Sequence, residues 1–551
     1  MELINQHTKK IMEGCKERAR KAGLRFQNET LEYIVTNRDL LELSPKLMIP
    51  TLYDYWVHDV KVLQEKGQYE LYPANPYETV INTRPPISFY NDNNPDWLNV
   101  MIFYHVLAHI DFFQNNLYYR HTWDYDFTGK ALADKRMIAR FRSEKGRWVD
   151  YVIEFARGID NLAGYHYTLS LLNRPSERSW SERINFYFDV FLQKIKKKST
   201  IEYIKEVERY NTCLRTQPEK SEALFFENVL INYPEFKEIF EKSLEKKADL
   251  KLDIMEYLIK HSEFLNKEEN KWMKSVIEIV RDTSLFFQPQ IRTKIMNEGW
   301  SSFWHEILFL QDDRIKGHEV DFARINAQVT SLPRMGINPY ALGMRLFYFI
   351  QEMADKGKYS FEFEQIFDTE QRKLFDKKTG CGKDFIFKVR ENFSDFTFIN
   401  TFLDQDFATK NKLFVTGMRL NKTKMVYEYY IKSKKVADYR KTVLDALYHP
   451  PNIEIIAEKN ENHTLYLNHY FEGKQLVKDF IANTMTGIEF FWKGPVQLET
   501  SELITKKSEY VQDFNLLYPA VSAQEESDPS PDQWERVIYT MENRKLTRKT
   551  R

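Results

Sequence analysis

The stretch SWSERINFYFDVFLQKIKKK, residues 179–198, shows the pattern that decides the fold class of most of this chain. Its apolar residues recur at the three- and four-residue spacing of one face of an α-helix. They are Ile184, Tyr187, Phe188 and Phe191. Lysines gather at the end of the stretch, where cations suit the negative end of the helix dipole. Three later runs repeat the pattern, at residues 219–245, 251–265 and 268–288.

The pattern changes at two places along the chain. Residues 79–82 are typical of a short strand, and Pro85-Pro86 ends any regular element there. After about residue 410, apolar and polar residues alternate as in half-buried strands. The predicted strands are residues 413–420, 425–432, 453–458 and 464–471, with a hairpin turn at 460–462. The predicted helices in this region are residues 436–448 and 474–486.

These patterns predict a mainly α N-terminal domain with a minor β segment, followed by a small α+β C-terminal domain. The first covers residues 1–410 and the second residues 411–510. Residues 511–551 are rich in Ser, Pro, Glu and Asp and then become basic, so they are predicted to form a flexible tail. A short docking helix that includes Trp534, Val537 and Ile538 is the alternative for part of this tail.

The composition is that of a globular protein, with 42% hydrophobic and 29% charged residues, and it excludes disordered and collagen-like classes. A formal net charge of zero gives no bulk reason to expect nucleic-acid or anionic-membrane binding. Cys15, Cys213 and Cys381 lie far apart, which favours reduced thiols in a cytoplasmic protein. We expect no secretory signal and no transmembrane segment, because the longest apolar stretch, residues 97–110, is too short and too polar.

Two segments carry residues suited to metal chemistry. In YHVLAHIDFFQNN, residues 104–116, His105 and His109 are four apart and share one face of a helix. In MNEGWSSFWHEI, residues 296–307, Glu298 and His305 are seven apart and share a face as well. If the two segments meet, these four side chains supply nitrogen and oxygen ligands for a divalent ion, with zinc expected first.

The same residues leave several alternatives open. Histidine pairs on helices are often packed core residues, and a bound metal could be purely structural. A zinc peptidase motif of the HExxH type carries a general base where this chain has Val106. A hydrolytic base would then come from Glu306 or Asp111, or Glu298 would be the base and not a ligand. His305 would be a fourth ligand or a transition-state donor.

The motifs resemble those of the stage V sporulation protein R (SpoVR-like) family. HVLAHIDFFQNN is similar to its H-x-x-x-H-x-D-F-F-x-N-N segment, and NEGWSSFWH resembles its NEGW segment. INPYALGMRLF at 337–347 and KVRENFSDFTFINTFLDQDF at 388–407 are similar to two further motifs. Four more segments fit in the family's order, so the likeness covers residues 13–500: EGCKERARKAGLRF, TVINTRPPISF, TLYLNHYFEGKQL and FFWKGPVQLET.

The resemblance implies a cytoplasmic bacterial or archaeal protein linked to spore cortex formation or to stress physiology. It implies as partners a PrkA-type serine protein kinase and a protein with a von Willebrand A-like domain. The family's His/His and Glu/His positions correspond to His105, His109, Glu298 and His305. The chain departs from the usual pattern at Ala108 and Ile110, where the family more often has Gly and Asn, and His58 is displaced from a Pro-His-Trp motif.

Two functions of different classes therefore remain. The first is a metal-dependent hydrolase acting on an amide-bearing cell-envelope precursor or peptide. The second is a non-catalytic regulatory or scaffold partner of the kinase system, in which the same residues form a structural metal site or a buried polar network. The missing glutamate of HExxH favours the second function, and the aromatic surroundings of the site favour the first.

Overall fold

The computed structural model of the chain describes residues 2–27, 29–36, 79–123, 127–164, 181–217, 220–250, 252–421, 426–447, 450–460, 462–472, 475–503 and 534–551. Helices make up most of this part and strands form three sheets, so the mainly α fold with a β-containing C-terminal region is confirmed. In the described part, no helix is both long and apolar enough to cross a membrane.

The helices begin at capping side chains in several places. Asn338 accepts a hydrogen bond from the backbone N–H of Ala341, with Pro339 in the first turn, which is a favourable helix start. The described α-helices are α1 Gln6–Lys21, α2 Asp96–Asn115, α3 Phe127–Lys145, α4 Trp148–Arg157, α5 Glu182–Asn185, α6 Thr200–Thr216, α7 Ser221–Asn232, α8 Phe236–Leu250, α9 Ile254–His261, α10 Glu263–Asn266, α11 Lys271–Arg292, α12 Lys294–Leu310, α13 Glu319–Thr330, α14 Pro339–Asp355, α15 Phe361–Glu364, α16 Thr369–Leu374, α17 Gly382–Asn392, α18 Asp395–Phe402, α19 Gln405–Lys410, α20 Val436–Ala446 and α21 Lys478–Trp492.

The four strands predicted after residue 410 correspond to β5, β6, β7 and β8, whereas β9, β10 and β11 were not predicted. An N-terminal sheet has the order β1-β2-β4-β3, a hairpin pairs β5 with β6, and a C-terminal sheet has the order β11-β10-β9-β8-β7. In the C-terminal sheet β8 and β9 pair in parallel, and the other pairs are antiparallel. The strands are β1 Glu2–Leu3, β2 Leu31–Val35, β3 Thr79–Ile81, β4 Ile87–Asn91, β5 Val415–Asn421, β6 Val426–Ser433, β7 Ile453–Ile455, β8 Leu465–His469, β9 Val496–Leu503, β10 Trp534–Glu542 and β11 Lys545–Thr550.

Residues 182–195 are helical, but only the first four have α-helical geometry. The apolar stripe of Ile184, Tyr187, Phe188 and Phe191 is fully buried, as predicted. After α5 the backbone continues as a π-helix over Phe186–Ile195 and not as an α-helix. The stripe packs in an aromatic cluster together with residues of α6, α7 and α8.

The prediction of a flexible tail over residues 511–551 is wrong for residues 534–551, which form β10 and β11. β10 lies between β9 and β11, and its alternate residues Val537, Tyr539 and Met541 are buried. A two-residue turn joins the strands, with φ of 51° at Asn543 and 60° at Arg544, as a tight antiparallel hairpin requires. The alternative of a docking helix through Trp534 is wrong as well. Residues 511–533, like His58, lie outside the described residues.

Two large hydrophobic clusters hold the helices and strands together, and the first contains the helices that carry the candidate site residues. α2, α12 and α14 share one cluster, to which Val443 of α20 also belongs. A second cluster joins α4, α9 and α11 to β8, β9 and β10. The division at residue 410 stays a prediction, and both clusters combine residues from its two sides.

Two glycines let α12 and α14 approach closely beside the site. A Cβ atom on Gly343 would lie 2.1 Å from the carbonyl oxygen of Ile295, and one on Gly299 would lie 2.4 Å from Gly343 Cα. Real Cβ atoms do not approach other heavy atoms so closely. The backbone contact between these two helices therefore requires glycine, and it fixes the position of Glu298, the neighbour of Gly299.

Candidate metal centre

The structure brings the two predicted segments together through the packing of α2 against α12. Sixteen of the residues of α2 are buried, and His105 and His109 lie on the side that faces α12. Their ring centroids are 4.6 Å apart, as the four-residue spacing predicts. Glu298 lies on the facing side of α12, with 17% of its side chain exposed.

His105, His109 and Glu298 converge at distances that suit ligands of one ion. Glu298 Oε2 is 3.6 Å from His109 Nε2 and 3.8 Å from His105 Nε2. These separations are too long for good hydrogen bonds. Two ligand atoms on a tetrahedral zinc ion are about 3.3 Å apart, because each bond is about 2.0 Å long. Each histidine–carboxylate pair therefore needs to close by about 0.3–0.5 Å to share a cation, and all three ligand atoms lie within 4.8 Å of one another.

The other ring nitrogen of each histidine is held by a neighbouring group. His109 Nδ1 is 2.9 Å from Oδ1 of Asn297, and His105 Nδ1 is 2.7 Å from Nδ1 of His305. An amide oxygen can only accept, so His109 carries its proton on Nδ1 and presents the Nε2 lone pair towards Glu298. This is how ligand histidines are held in known metal sites. Asn297 therefore supports the ring of His109.

The charge of the group also suits a cation. Burial raises the pKa of Glu298, but the imidazoles of His105 and His109 outweigh it, and the pKa lies below its usual value. Glu298 is therefore a carboxylate at neutral pH. A carboxylate with two imidazoles, which a bound ion would hold in their neutral form, is a donor set typical of zinc and related divalent ions.

The prediction that His305 is a metal ligand does not agree with its geometry. His305 is fully buried, and its Nδ1 contacts His105 on the side of that ring away from Glu298. Its Nε2 is 3.0 Å from Oδ1 of Asn326, so both ring nitrogens have protein partners. Burial, with the nearby His105, lowers the pKa of His305 to about 3, so the ring is neutral. His305 supports His105 and does not join the three converging ligands.

The two predicted alternative bases lie elsewhere. Glu306 accepts hydrogen bonds from Asn326 Nδ2 at 2.7 Å and from Tyr348 OH at 2.9 Å, on the far side of His305 from the three ligands. Asp111 Oδ1 accepts from the backbone N–H of Arg25 at 2.6 Å. Its Oδ2 accepts from Trp300 Nε1 at 2.9 Å. Neither carboxylate faces Glu298, so the geometry supports neither as a catalytic base.

Comparison with known proteins supports the family resemblance. The sequence profile described as SpoVR like protein matches residues 2–449. The chain belongs to the SpoVR-like family. It is also 26% identical over 348 residues to the Escherichia coli (strain K12) protein described as "Uncharacterized protein YcgB". That similarity covers 60% of this chain and 61% of the relative, so it spans about three fifths of the relative's length. No solved structure matches the chain.

Other motif residues of this SpoVR-like protein have structural roles that the sequence did not reveal. Asn116 donates hydrogen bonds to the carbonyl oxygens of Arg390 and Phe393, at 2.7 and 3.0 Å, and so connects α2 to the end of α17. Asn326 and Tyr348 were missed altogether, because neither lies in a segment with metal-ligand spacing. The helical spacing of Phe322 to Asn326 on α13 is the one signal that places Asn326 near a buried face.

Asp395, in the DFTFI part of the 388–407 motif, caps the helix that carries Glu298. Its two carboxylate oxygens accept hydrogen bonds from the backbone N–H groups of Ile295 and Met296, both at 2.8 Å. These donors belong to the first turn of α12, where such N–H groups have no partner within the helix. The cap therefore fixes the start of α12 three residues before Glu298.

Asp395→Ala is expected to lower the free energy of unfolding by about 1–2 kcal/mol, because two buried backbone donors lose their acceptor. Urea denaturation followed by circular dichroism measures this change. Asp406→Ala is the control, since Asp406 is exposed in the first turn of α19, and we expect less than about 0.5 kcal/mol for it. Equal losses in the two variants would show that Asp395 is not a specific cap.

Proposed function

We propose that this SpoVR-like protein is a metal-dependent hydrolase that binds a divalent ion, zinc in the first place, through His105, His109 and Glu298. The observation that carries the proposal is the convergence of their ligand atoms, which all lie within 4.8 Å of one another. The support that Asn297 and His305 give to the two rings adds to it, because it orients both Nε2 atoms towards the carboxylate.

The chemistry that a bound divalent ion supplies is Lewis acidity, which polarises a carbonyl and acidifies a water molecule. The chain itself supplies the ligands, a fixed ring orientation and a largely dry environment. Glu298 is the one carboxylate at the three ligand atoms among the described residues. With Val106 in place of the HExxH glutamate, Glu298 would have to combine ligand and base roles, or the substrate would have to provide the base.

The substrate class rests on the family. SpoVR-like proteins are linked to sporulation, and the cortex that they affect contains amide-bearing precursors. We therefore propose an amide-bearing cell-envelope precursor or a peptide as the substrate, and the cytoplasm as the place where the reaction occurs. This is an association through the family and not an argument from the geometry.

A second candidate function is a regulatory or scaffold component that works with a PrkA-type serine kinase and a von Willebrand A-like protein. The observation that favours it is the burial of the site. His105 and His109 are 2% and 5% exposed, and among the described residues no carboxylate other than Glu298 joins the three ligand atoms. The ion, or a polar network without an ion, would then hold α2 and α12 together.

Metal content is the first test of the proposal. Mass spectrometry of protein purified without a His-tag or chelator is expected to find near-stoichiometric zinc, iron or manganese. The double variant His105→Ala/His109→Ala is expected to bind zinc at least about a hundredfold more weakly, because two of three ligands are lost. His318→Ala is the control, since His318 is partly exposed and pairs with Asp321. Absence of metal in the wild type, even after reconstitution, would refute the metalloenzyme.

Glu298→Gln separates the two functions. In an enzyme the substitution abolishes turnover and leaves the melting temperature close to that of the wild type. In a structural site it lowers the free energy of unfolding by several kcal/mol, because the binding energy of the metal is then part of the folding energy. Thermal unfolding with and without added zinc measures the difference.

A further inference from the structure

A continuous chain of hydrogen bonds runs from His105 away from the three ligands. His105 Nδ1 contacts His305 Nδ1 at 2.7 Å, and His305 Nε2 contacts Asn326 Oδ1 at 3.0 Å. Asn326 Nδ2 then donates to Glu306 Oε2 at 2.7 Å. Tyr348 OH donates to the other oxygen of Glu306 at 2.9 Å. The chain joins residues of α2, α12, α13 and α14.

The direction of every bond in this chain follows from Glu306. A carboxylate only accepts, so the NH₂ group of Asn326 faces Glu306 and its oxygen faces His305. An amide oxygen also only accepts, so His305 carries its proton on Nε2. The ring of His305 is fully buried, and its two nitrogens contact His105 and Asn326 and not a carboxylate. A second proton would leave an uncompensated charge in the core, so Nδ1 accepts.

The same logic reaches His105. Because His305 Nδ1 accepts, His105 must donate from Nδ1, and its lone pair lies on Nε2, the atom that faces Glu298. A ring that held its proton on Nε2 would have to lose or move that proton before it could bind an ion. The chain thus selects the one neutral form of His105 that binds a metal through Nε2.

We infer that Asn326 and Glu306 are positioning residues of the metal site, which hold His105 in its metal-binding tautomer through His305. The inference deepens the proposed function and rests on its metal site. Asn326 bonds to His305 and Glu306, and Glu306 bonds to Asn326 and Tyr348, so their effect on the ligands passes through His305. Asn326 and Glu306 also line a cavity of about 530 Å³, so shortening either side chain enlarges an existing space and does not cause overpacking.

The competing explanation is that the chain is only a core network that joins α12, α13 and α14. Such a network affects stability and leaves the intrinsic affinity for metal unchanged. Zinc affinity of the folded protein separates the two, since it responds to the tautomer of His105 and not to the packing of α13. The melting temperature of the metal-free protein reports the packing.

The test compares zinc binding by the full chain and its variants, with zinc alone as the probe and a chromophoric chelator as competitor. Asn326→Leu has nearly the same size and removes both hydrogen bonds, and we expect it to weaken zinc binding about tenfold. Glu306→Ala, at a less buried position, is a second variant with the same expected direction. Thr330→Val is the matched control, because Thr330 lies one turn further along α13 and lines the same cavity.

The outcomes are distinct. Weaker zinc binding in Asn326→Leu, with Thr330→Val within about twofold of the wild type, supports the inference. Equal binding by Asn326→Leu and the wild type overturns the inference and leaves the metal site intact. Equal losses in Asn326→Leu and Thr330→Val also overturn it, because the effect would then be one of packing. A wild-type protein that binds no zinc overturns both the inference and the proposed function.

Discussion

Gly343→Ala is expected to lower the free energy of unfolding by more than about 3 kcal/mol, or to prevent folding at 37 °C. The added methyl group would meet the carbonyl oxygen of Ile295 at 2.1 Å and Gly299 Cα at 2.7 Å. Both are backbone atoms of α12, so no side chain can rotate to relieve the contact. The two helices would have to separate, and the buried cluster around them would lose contacts along their length.

The measurement is urea denaturation of the purified variant, or its yield in the soluble fraction if it does not fold. Gly317→Ala is an instructive control: a Cβ there meets no atom within 4 Å, but its φ of 96° strains any other residue. That substitution isolates the backbone cost of about 1 kcal/mol from the steric one. A loss in Gly343→Ala no greater than in Gly317→Ala would show that α12 and α14 do not pack this closely.

The sequence predicts which residues of the site share a helix face, but not how their side chains are paired. The four-residue spacing places His105 beside His109. The seven-residue spacing puts Glu298 and His305 on one face of α12, where both lie next to His105. Helical spacing fixes the direction of each Cα–Cβ bond and nothing beyond it. Which nitrogen of His105 meets which partner depends on Asn326, a residue of another helix, and no pattern within the motif contains that information.

The C-terminal strands illustrate a different limit. The alternation of apolar and polar residues predicted β5 to β8, because each of these segments is a separate alternating run. In residues 511–551 the Ser, Pro and Glu of the first part dominated the composition, although Val537, Tyr539 and Met541 alternate as buried strand residues do. β10 is a central strand, and its pairing partner β9 ends more than thirty residues earlier in the chain at Leu503. Long-range pairing of this kind has no local signal.

Asp111→Ala is expected to lower the free energy of unfolding by about 3–5 kcal/mol, because it leaves the buried Arg390 with only the more distant, partly exposed Glu391, at 3.9 Å, as a counter-charge. Arg390 is fully buried, and its Nε lies 3.3 Å from Asp111 Oδ2. Burial raises the pKa of Asp111 to about 6, although Arg390 and the hydrogen bonds from Arg25 and Trp300 lower it. The Asp111 side chain thus connects α2 to three other parts of the structure: the segment after α1 through Arg25, α12 through Trp300 and α17 through Arg390. Urea denaturation of the variant measures the loss.

A double-mutant cycle with Arg390→Met decides whether this cost comes from the unpaired charge. Arg390→Met removes the buried cation and keeps much of its volume, so Asp111→Ala/Arg390→Met is expected to be more stable than Asp111→Ala alone. Equal stability of the two would mean that the hydrogen bonds of Trp300 and Arg25 carry the whole effect. Zinc affinity of these variants, as long as they fold, is expected to equal that of the wild type, because Asp111 faces away from Glu298. A loss of zinc binding without a loss of stability would instead show that Asp111 takes part in metal binding.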